Sequence, residues 1–287
     1  METPNQDPKH ELQSYALLMN PELEQNAARL ICKAAKSKIH SKTRLSIGSL
    51  FGYFLDGPLG AQGQIKSSLY YAFSNSGGIL VAKVYTDIAG TNDSQISFKR
   101  EVGFNKAISH DHVARFVASF SFETRHVIIM PLFARSAADL LTQHATLPTD
   151  TVLTIASNIG SALDYIHSCG YCFADVKPSN IMMESSLVGN AKLIDFGSAI
   201  KLGETVIEIS KPYCLDVNVE IGSRVLDFTC LGSSLAQLSG IDISCYSLAS
   251  ELLLLIQATP KLEFDLAGAC LSNGSFEKIR KVINKYS

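Results

Sequence analysis

The sequence predicts an α+β chain in two lobes: a small, mostly antiparallel sheet with one inserted helix, followed by a mainly helical part. Three observations predict it. Between Leu45 and Met130 the apolar residues come in short alternating runs, and Asn75-Ser76-Gly77-Gly78 forms a hairpin turn between two of them. From Pro131 onward the pattern becomes helical, and Val152, Ile155, Ile159, Leu163 and Ile166 fall on one stripe of a segment from Asp150 to Ser168. The change of texture near Leu132 marks a lobe boundary.

Taken in order, residues 1–44 read as an N-terminal helical extension, 45–131 as the sheet lobe and 132–287 as the helical lobe. In the extension, Leu12, Tyr15, Leu18 and Met19 repeat at helical spacing, and Leu23, Ala27, Leu30 and Ile31 continue the stripe after the break at Pro21. Lys33, Lys36, Lys38, Lys42 and Arg44 then make a basic stretch. It reads either as a solvated helix end or as a docking site for an acidic partner. The extension itself either braces the sheet lobe or recruits a partner protein. Strands are expected at Ser46–Leu55, Gln64–Phe73, Ile79–Tyr85, His112–Phe122 and Arg125–Met130, with a helix at Ile96–Ile108. Beyond them, helices are expected at Ala137–His144, Asp150–Ser168, Leu226–Leu238, Leu248–Ile256 and Ser275–Tyr286, and a short strand within Gly189–Ile194.

Composition narrows the classes. The 287 residues are 46% hydrophobic, ample for a packed core. A net charge of -2 with 18% charged residues excludes binding to nucleic acid or an anionic membrane through a bulk field. The seven cysteines (Cys32, Cys169, Cys172, Cys214, Cys230, Cys245 and Cys270) are odd in number and irregularly spaced, unlike a disulfide scaffold. Cys169 and Cys172 form a CxxC, but no second ligand pair stands at finger spacing and apolar residues surround it. The first twenty residues carry Glu2, Asp7, Lys9 and Glu11 and lack the pattern of a targeting segment. The longest apolar runs are too short to span a bilayer. A soluble cytoplasmic or nuclear protein is expected.

Three charged residues sit in short apolar contexts: Lys83 in LVAKVY, Asp175 in FADVKPSN and Asp195 in LIDFG. Each alone has an ordinary structural reading. An Asp before Phe-Gly, for instance, caps its own turn. Lys83 stands among Leu80, Val81, Ala82 and Val84, where a cation needs a partner or an anionic ligand. Their ordered co-occurrence resembles the eukaryotic protein-kinase family, from about Leu50 to Leu238. Asp175, Lys177 and Asn180 resemble the family's catalytic loop, and Asp195, Phe196 and Gly197 its metal-binding triplet. Lys83 resembles its nucleotide lysine, Glu101 in FKREV the partner of that lysine, and Asp227 the acid that opens a buried central helix.

The resemblance implies a bilobal kinase-like fold with a reduced helical lobe, and ATP with Mg2+ as cofactors. It implies that Lys83, held by Glu101, pairs with phosphates, and that Asn180 and Asp195 give oxygen ligands to the metal. It implies that Asp175 takes the proton of an acceptor hydroxyl while Lys177 faces the transferred phosphoryl group. Gly60, Gly63 and Ile65 match three marks of the glycine loop, although Pro58 replaces its first glycine. Met130 matches the gatekeeper, Leu132 and Phe133 the linker, and Ala82, Ile65 and Met182 the residues around the base. Lys177-Pro178 resembles the Ser/Thr branch, so a Ser/Thr protein kinase acting on a protein substrate is expected.

Four departures stand beside this. Phe173-Ala174 replaces His-Arg, so Phe173 is expected against Phe196, and control by a phosphorylated activation loop is expected to be absent. Asn105, one turn beyond Glu101, stands where the family packs an apolar residue toward the Phe of the triplet. Ala-Pro-Glu is missing, with Asp216 a candidate replacement and Arg280 its candidate partner. The loop from Ser198 to Asp216 carries only Ser198, Thr205 and Ser210 as serine or threonine hydroxyl sites. The alternatives are a pseudokinase acting as a scaffold or allosteric partner, and a small-molecule kinase.

Overall fold

The computed structural model describes residues 53–58, 67–74, 79–86, 93–122, 125–184, 189–206, 210–215, 220–259, 261–272 and 274–286. The expected helices of the extension, the Asn75–Gly78 turn, Gly60, Gly63, Ile65 and Asp216 lie outside the described residues. The fold is bilobal. One lobe holds the described residues up to Lys99 together with Arg115–Ala134, and the other holds Arg100–Ala114 and Arg135–Ser287.

In the first lobe, among the described residues, β1 (Tyr53–Pro58), β2 (Ser67–Ser74), β3 (Ile79–Thr86), β4 (Ala118–Phe122) and β5 (Arg125–Pro131) form a sheet in the order β1-β2-β3-β5-β4. All of its pairs are antiparallel. The nearly unbroken apolar run Ile79–Tyr85 suits β3 to a central place, covered on both faces. One face buries Ala72, Leu80, Ala82, Val84, Val127 and Ile129. On the alternate face Tyr85 meets Phe98 edge-on at 6.0 Å, and Phe98 stacks on His126 at 5.0 Å. Phe98 belongs to α1 (Asp93–Ala107), whose start is fixed by Ser94 Oγ donating to Thr86 O at 3.0 Å. Pro58 ends β1 where the register with β2 shifts, as suits a residue with no N–H for the ladder.

In the second lobe, the backbone N–H of Ser136 and that of Asp139 are each capped by the other residue's side chain, which starts α2 (Ala137–Gln143). The predicted stripe is buried along α3 (Thr149–Ser168). Ser223 caps α4 (Arg224–Leu238), which buries most of its length. The helices α5 (Ala249–Ala258), α6 (Leu262–Leu271) and α7 (Phe276–Tyr286) follow. The helix α6 has no counterpart among the expected elements: Phe264, Leu266, Ala267, Cys270 and Leu271 are buried on one side, but Leu262, Gly268 and Ala269 leave the other side apolar too, so little contrast between faces remains. Two glycines allow close helix packing. A Cβ at Gly232 of α4 would lie 2.7 Å from Leu271 Cγ of α6, and one at Gly160 of α3 would lie 2.8 Å from Ile279 Cδ1 of α7. Short ribbons complete the lobe: β6 (Arg135–Ser136) with β8 (Ile181–Met183) and β9 (Ala191–Leu193), and β7 (Tyr171–Cys172) with β10 (Ile200–Lys201). The strand expected from His112 begins only at Ala118. Before it, Val113 makes an isolated parallel bridge to Leu193. Among the described residues no helix is long and apolar enough to cross a membrane.

Candidate active site

The loop between β7 and β8 carries the predicted catalytic cluster, and a buried carboxylate shapes it. Asp227 is wholly buried on α4. Its Oδ2 accepts from Phe173 N at 2.8 Å and from His167 Nε2 at 2.8 Å, and its Oδ1 accepts from Ala174 N at 2.7 Å. Three donors on one carboxylate satisfy a charge that would otherwise be costly to bury. They also hold Ala174 in the left-handed region, φ 64°. That bend turns the chain so that Phe173 points into the core while Asp175 is only partly covered.

Every oxygen of the Asp175 carboxylate is engaged. Lys177 Nζ lies 2.8 Å from Oδ2, and Asn180 Nδ2 donates to Oδ2 at 2.8 Å and to the Asp175 backbone O at 2.9 Å. Ser210 Oγ donates to Oδ1 at 2.5 Å and accepts from Lys177 Nζ at 2.9 Å. The one-turn helix Pro178–Asn180, with proline at its start, brings Asn180 back beneath Asp175. Ser210 was visible in the sequence only as one of three loop hydroxyls. It lies 35 positions from Asp175, and no local spacing rule reaches across that distance.

Asp195 also adopts a left-handed conformation, φ 64° and ψ 79°, and its carboxylate accepts from Gly197 N at 3.4 Å. Two non-glycine residues in this region, Ala174 and Asp195, fall on the two predicted motifs, and strained backbone of this kind clusters at functional sites. Phe196 is buried between two rings. Phe173 meets it edge-on at 5.6 Å, as expected from the sequence, and Phe104 stacks on it at 4.6 Å. The residue of α1 that reaches Phe196 is therefore Phe104. Asn105 is buried and partnered, as a polar group at that place requires, and the aromatic side chain one position earlier adds an apolar contact to Phe196.

The segment after Asp195 is tied at both ends. Ile200 and Lys201 pair with Cys172 and Tyr171 in β7, and Leu202 N donates to Gly170 O. Further on, Gly203 N donates to Gly222 O at 3.0 Å, Gly222 N to Glu204 O at 2.8 Å, and Val206 N to Glu220 O at 2.9 Å. This main-chain clasp closes the base of the loop that returns Ser210 to Asp175. Tyr213 OH donates to Gln237 Oε1 at 2.9 Å, and burial pushes its phenol up from the usual range.

The remaining predicted residues lie as follows. In the sheet lobe, Lys83 is 5% exposed on β3 with Nζ 5.2 Å from the Tyr85 ring centroid, and Ala82 is fully buried. Met130, Leu132 and Phe133 are half-buried at and after the end of β5. In the helical lobe, Glu101 is buried on α1 and Met182 is half-buried on β8. Arg280 is exposed on α7. Of the CxxC, Cys169 is exposed and Cys172 buried, and Cys172 Sγ contacts Ser223 O. Burial, followed by the Asp227 charge, pushes the Cys172 thiol far up, the opposite of a reactive or metal-binding thiol.

A metal fits the donor set as a hard cation does. Both amide hydrogens of Asn180 are spent on Asp175, which leaves its carbonyl oxygen as the free end. The Asp195 carboxylate would be the second oxygen donor to such an ion. Among the described residues there is no cluster of three or more His, Cys, Asp or Glu able to hold an ion. Two protein oxygens completed by phosphate and water is the pattern that suits magnesium.

Comparison with known proteins agrees with this geometry. The family described as protein kinase domain matches residues 59–216. Serine/threonine-protein kinase PknJ of Mycobacterium tuberculosis is 29% identical over 170 residues, which are 56% of this chain and 28% of that protein. Probable serine/threonine-protein kinase PknB of Lactococcus lactis is 33% identical over 109 residues, 38% of this chain and 17% of its own. Serine/threonine-protein kinase 4 homolog A of Dictyostelium discoideum is 31% identical over 165 residues, 54% of this chain and 34% of its own. The chain thus spans about a third or less of the length of these relatives. With the family match running from the glycine-loop region through Asp175, Asp195 and Ser210, the chain belongs to the protein kinase family.

Proposed function

We propose that the chain transfers the terminal phosphoryl group of Mg-ATP to serine or threonine hydroxyls of a protein substrate, without control by activation-loop phosphorylation. The observation that carries this reading is the Ser210 hydroxyl seated between Asp175 Oδ1 and Lys177 Nζ. There an aliphatic hydroxyl donates a hydrogen bond to the Asp175 carboxylate while a cation stands beside the oxygen. An acceptor hydroxyl needs that pairing of base and neighbouring positive charge.

When bound, Mg-ATP supplies the phosphoryl group and the metal charge that offsets the negative charge of the reacting phosphate. Asn180 and Asp195 would hold the metal through oxygen, and the Asn180 amide also fixes the rotamer of Asp175. Asp175 orients the acceptor and receives its proton. Lys177, paired with Asp175, stabilises developing charge on the transferred group. Lys83, supported by Glu101, binds phosphate oxygens. Gly60, Gly63, Ile65, Ala82, Met130, Leu132, Phe133 and Met182 contact the nucleotide. The clasp between Gly203–Val206 and Glu220–Gly222 supports the regulatory part of the reading, since it orders the segment by main-chain bonds where Ala174 offers no cation to a phosphate. Residues 1–44 remain assigned to bracing or partner recruitment.

The test is Mg-ATP-dependent stabilisation followed by transfer. Mg-ATP is expected to raise Tm, and Asp195→Asn to abolish the magnesium-dependent part. Stabilisation by ATP with no transfer to any Ser/Thr substrate would instead favour a pseudokinase, and transfer only to small-molecule hydroxyls would favour the third reading.

A further inference from the structure

The segment that returns Ser210 to Asp175 runs on along α4, and two cysteines meet there. Tyr213 OH donates to Gln237 Oε1 at 2.9 Å. Gln237 stands two turns after Cys230 on the same face of α4. Cys214 follows Tyr213, and its thiol is hydrogen-bonded with the thiol of Cys230. Cys214 is 8% exposed and Cys230 3%, and both stand as thiols. The face of α4 that meets Cys214 also carries Asp227, one turn before Cys230, whose carboxylate sets the bend at Ala174.

The two sulfurs are placed for different parts. Cys230 sits in the middle of a buried helix, and its backbone O accepts from Ser234 Oγ at 2.7 Å. The bond with Cys214 first, and burial second, push its thiol well up, so it does not attack an oxidant while the segment is closed. Cys214 lies in a turn, where its N–H donates to Ser210 O at a long 3.4 Å. A turn opens at lower free energy than the middle of a buried helix. Cys214 is therefore the sulfur that an oxidant reaches first, and Cys230 is the thiol it meets on closing.

We propose that Cys214 and Cys230 are a redox pair that a hydroperoxide closes into a disulfide, tying the segment that carries Ser210 to α4. The Cys214 thiol takes one oxygen atom from the hydroperoxide and becomes a sulfenic acid, and the reduced oxidant leaves as water or an alcohol. The Cys230 sulfur then attacks the Cys214 sulfur. The S–S bond forms, the S–O bond breaks, and the oxygen leaves as water with the Cys230 proton. The two electrons lost by the sulfurs are those the hydroperoxide gains, and a dithiol reductant returns both thiols. The bridge needs no nucleotide, so its test stands apart from that of phosphoryl transfer.

The test is hydrogen peroxide added to the folded full chain, followed by alkylation, digestion and mass spectrometry. A peptide pair linked through Cys214 and Cys230 is expected, and dithiothreitol should release it. Because the bridge closes a loop between these positions in the unfolded chain, Tm should rise by roughly 4–10 °C on oxidation. Cys214→Ala and Cys230→Ala should each remove both the linked pair and the rise. Cys169→Ser with Cys245→Ser, which takes away two exposed thiols, should leave both unchanged. Should Cys230→Ala fail to fold, the peptide map of the parent and of Cys214→Ala decides. Alkylation of both sulfurs after peroxide, linkage of either one to a third cysteine, or a bridge that does not raise Tm overturns the pair.

Discussion

The amide N–H of Ala174 donates to Asp227 Oδ1 at 2.7 Å, across 53 positions of sequence, and this bond holds Ala174 at φ 64° just before Asp175. The direction of the candidate base is therefore set from α4. Asp227→Asn should lower stability by about 2–4 kcal/mol, because an amide turns a donor toward buried donors. Ala174→Gly should change stability by no more than about 1 kcal/mol, since relief of the left-handed strain is offset by a more flexible unfolded chain. Ala174→Val should destabilise by more than that. Denaturant midpoints at constant m check all three.

The ring stack of Phe104 on Phe196 gives a second expectation. Phe104→Ala should cost about 3–5 kcal/mol as a buried aromatic truncation. It should also lower phosphotransfer, because Phe196 adjoins Asp195. Phe104→Leu should retain more of both. Thermal unfolding and initial rates, measured on the same preparations, check the pair.

The clasp predicts that the loop needs no phosphate. Ser198→Ala with Thr205→Ala should leave phosphotransfer within about twofold of the parent, and phosphatase treatment should not reduce it. A Cβ at Gly222 would lie 2.6 Å from Ile200 Cδ1 and 3.2 Å from Cys172 Cβ. Gly222→Ala should therefore destabilise by about 1–3 kcal/mol through overpacking, and Ile200→Val should recover part of it.

Acid should destabilise the fold through His110 and His112. Burial first, and then their mutual repulsion at His110, hold both imidazoles below the usual range. His110 Nδ1 accepts the N–H of His112, a bond that protonation removes. A histidine whose folded pKa is depressed contributes stability above its unfolded pKa near 6.5 and loses it as pH falls toward the folded value. The urea midpoint should drop between about pH 7 and pH 5, and less steeply in His110→Asn.

Much of this was legible in the sequence, and the exceptions share a cause. The strands around Lys83, the stripe of α3 and the spacing from Asp175 to Asp195 are short-range patterns, and each appears in the fold. Phe104 was missed because one position along a helix turns a side chain by about 100°, and matching by position alone fixed on Asn105. Ser210 on Asp175, the Gly203–Gly222 clasp and the meeting of Cys214 with Cys230 depend on contacts between distant segments, which no local periodicity encodes. The helix α6 was hidden because Leu262, Gly268 and Ala269 make the side opposite its buried face apolar as well.

The central claim is that Asp175 serves as the base of a Mg-ATP phosphoryl transfer, and the most direct measurement is phosphate incorporation into a Ser/Thr protein substrate by the parent chain and by Asp175→Ala. The account predicts magnesium-dependent incorporation on serine or threonine by the parent and a fall of at least about a hundredfold in kcat for Asp175→Ala, with Mg-ATP binding retained. Equal incorporation by the two proteins, or none by a parent that binds Mg-ATP, would contradict it.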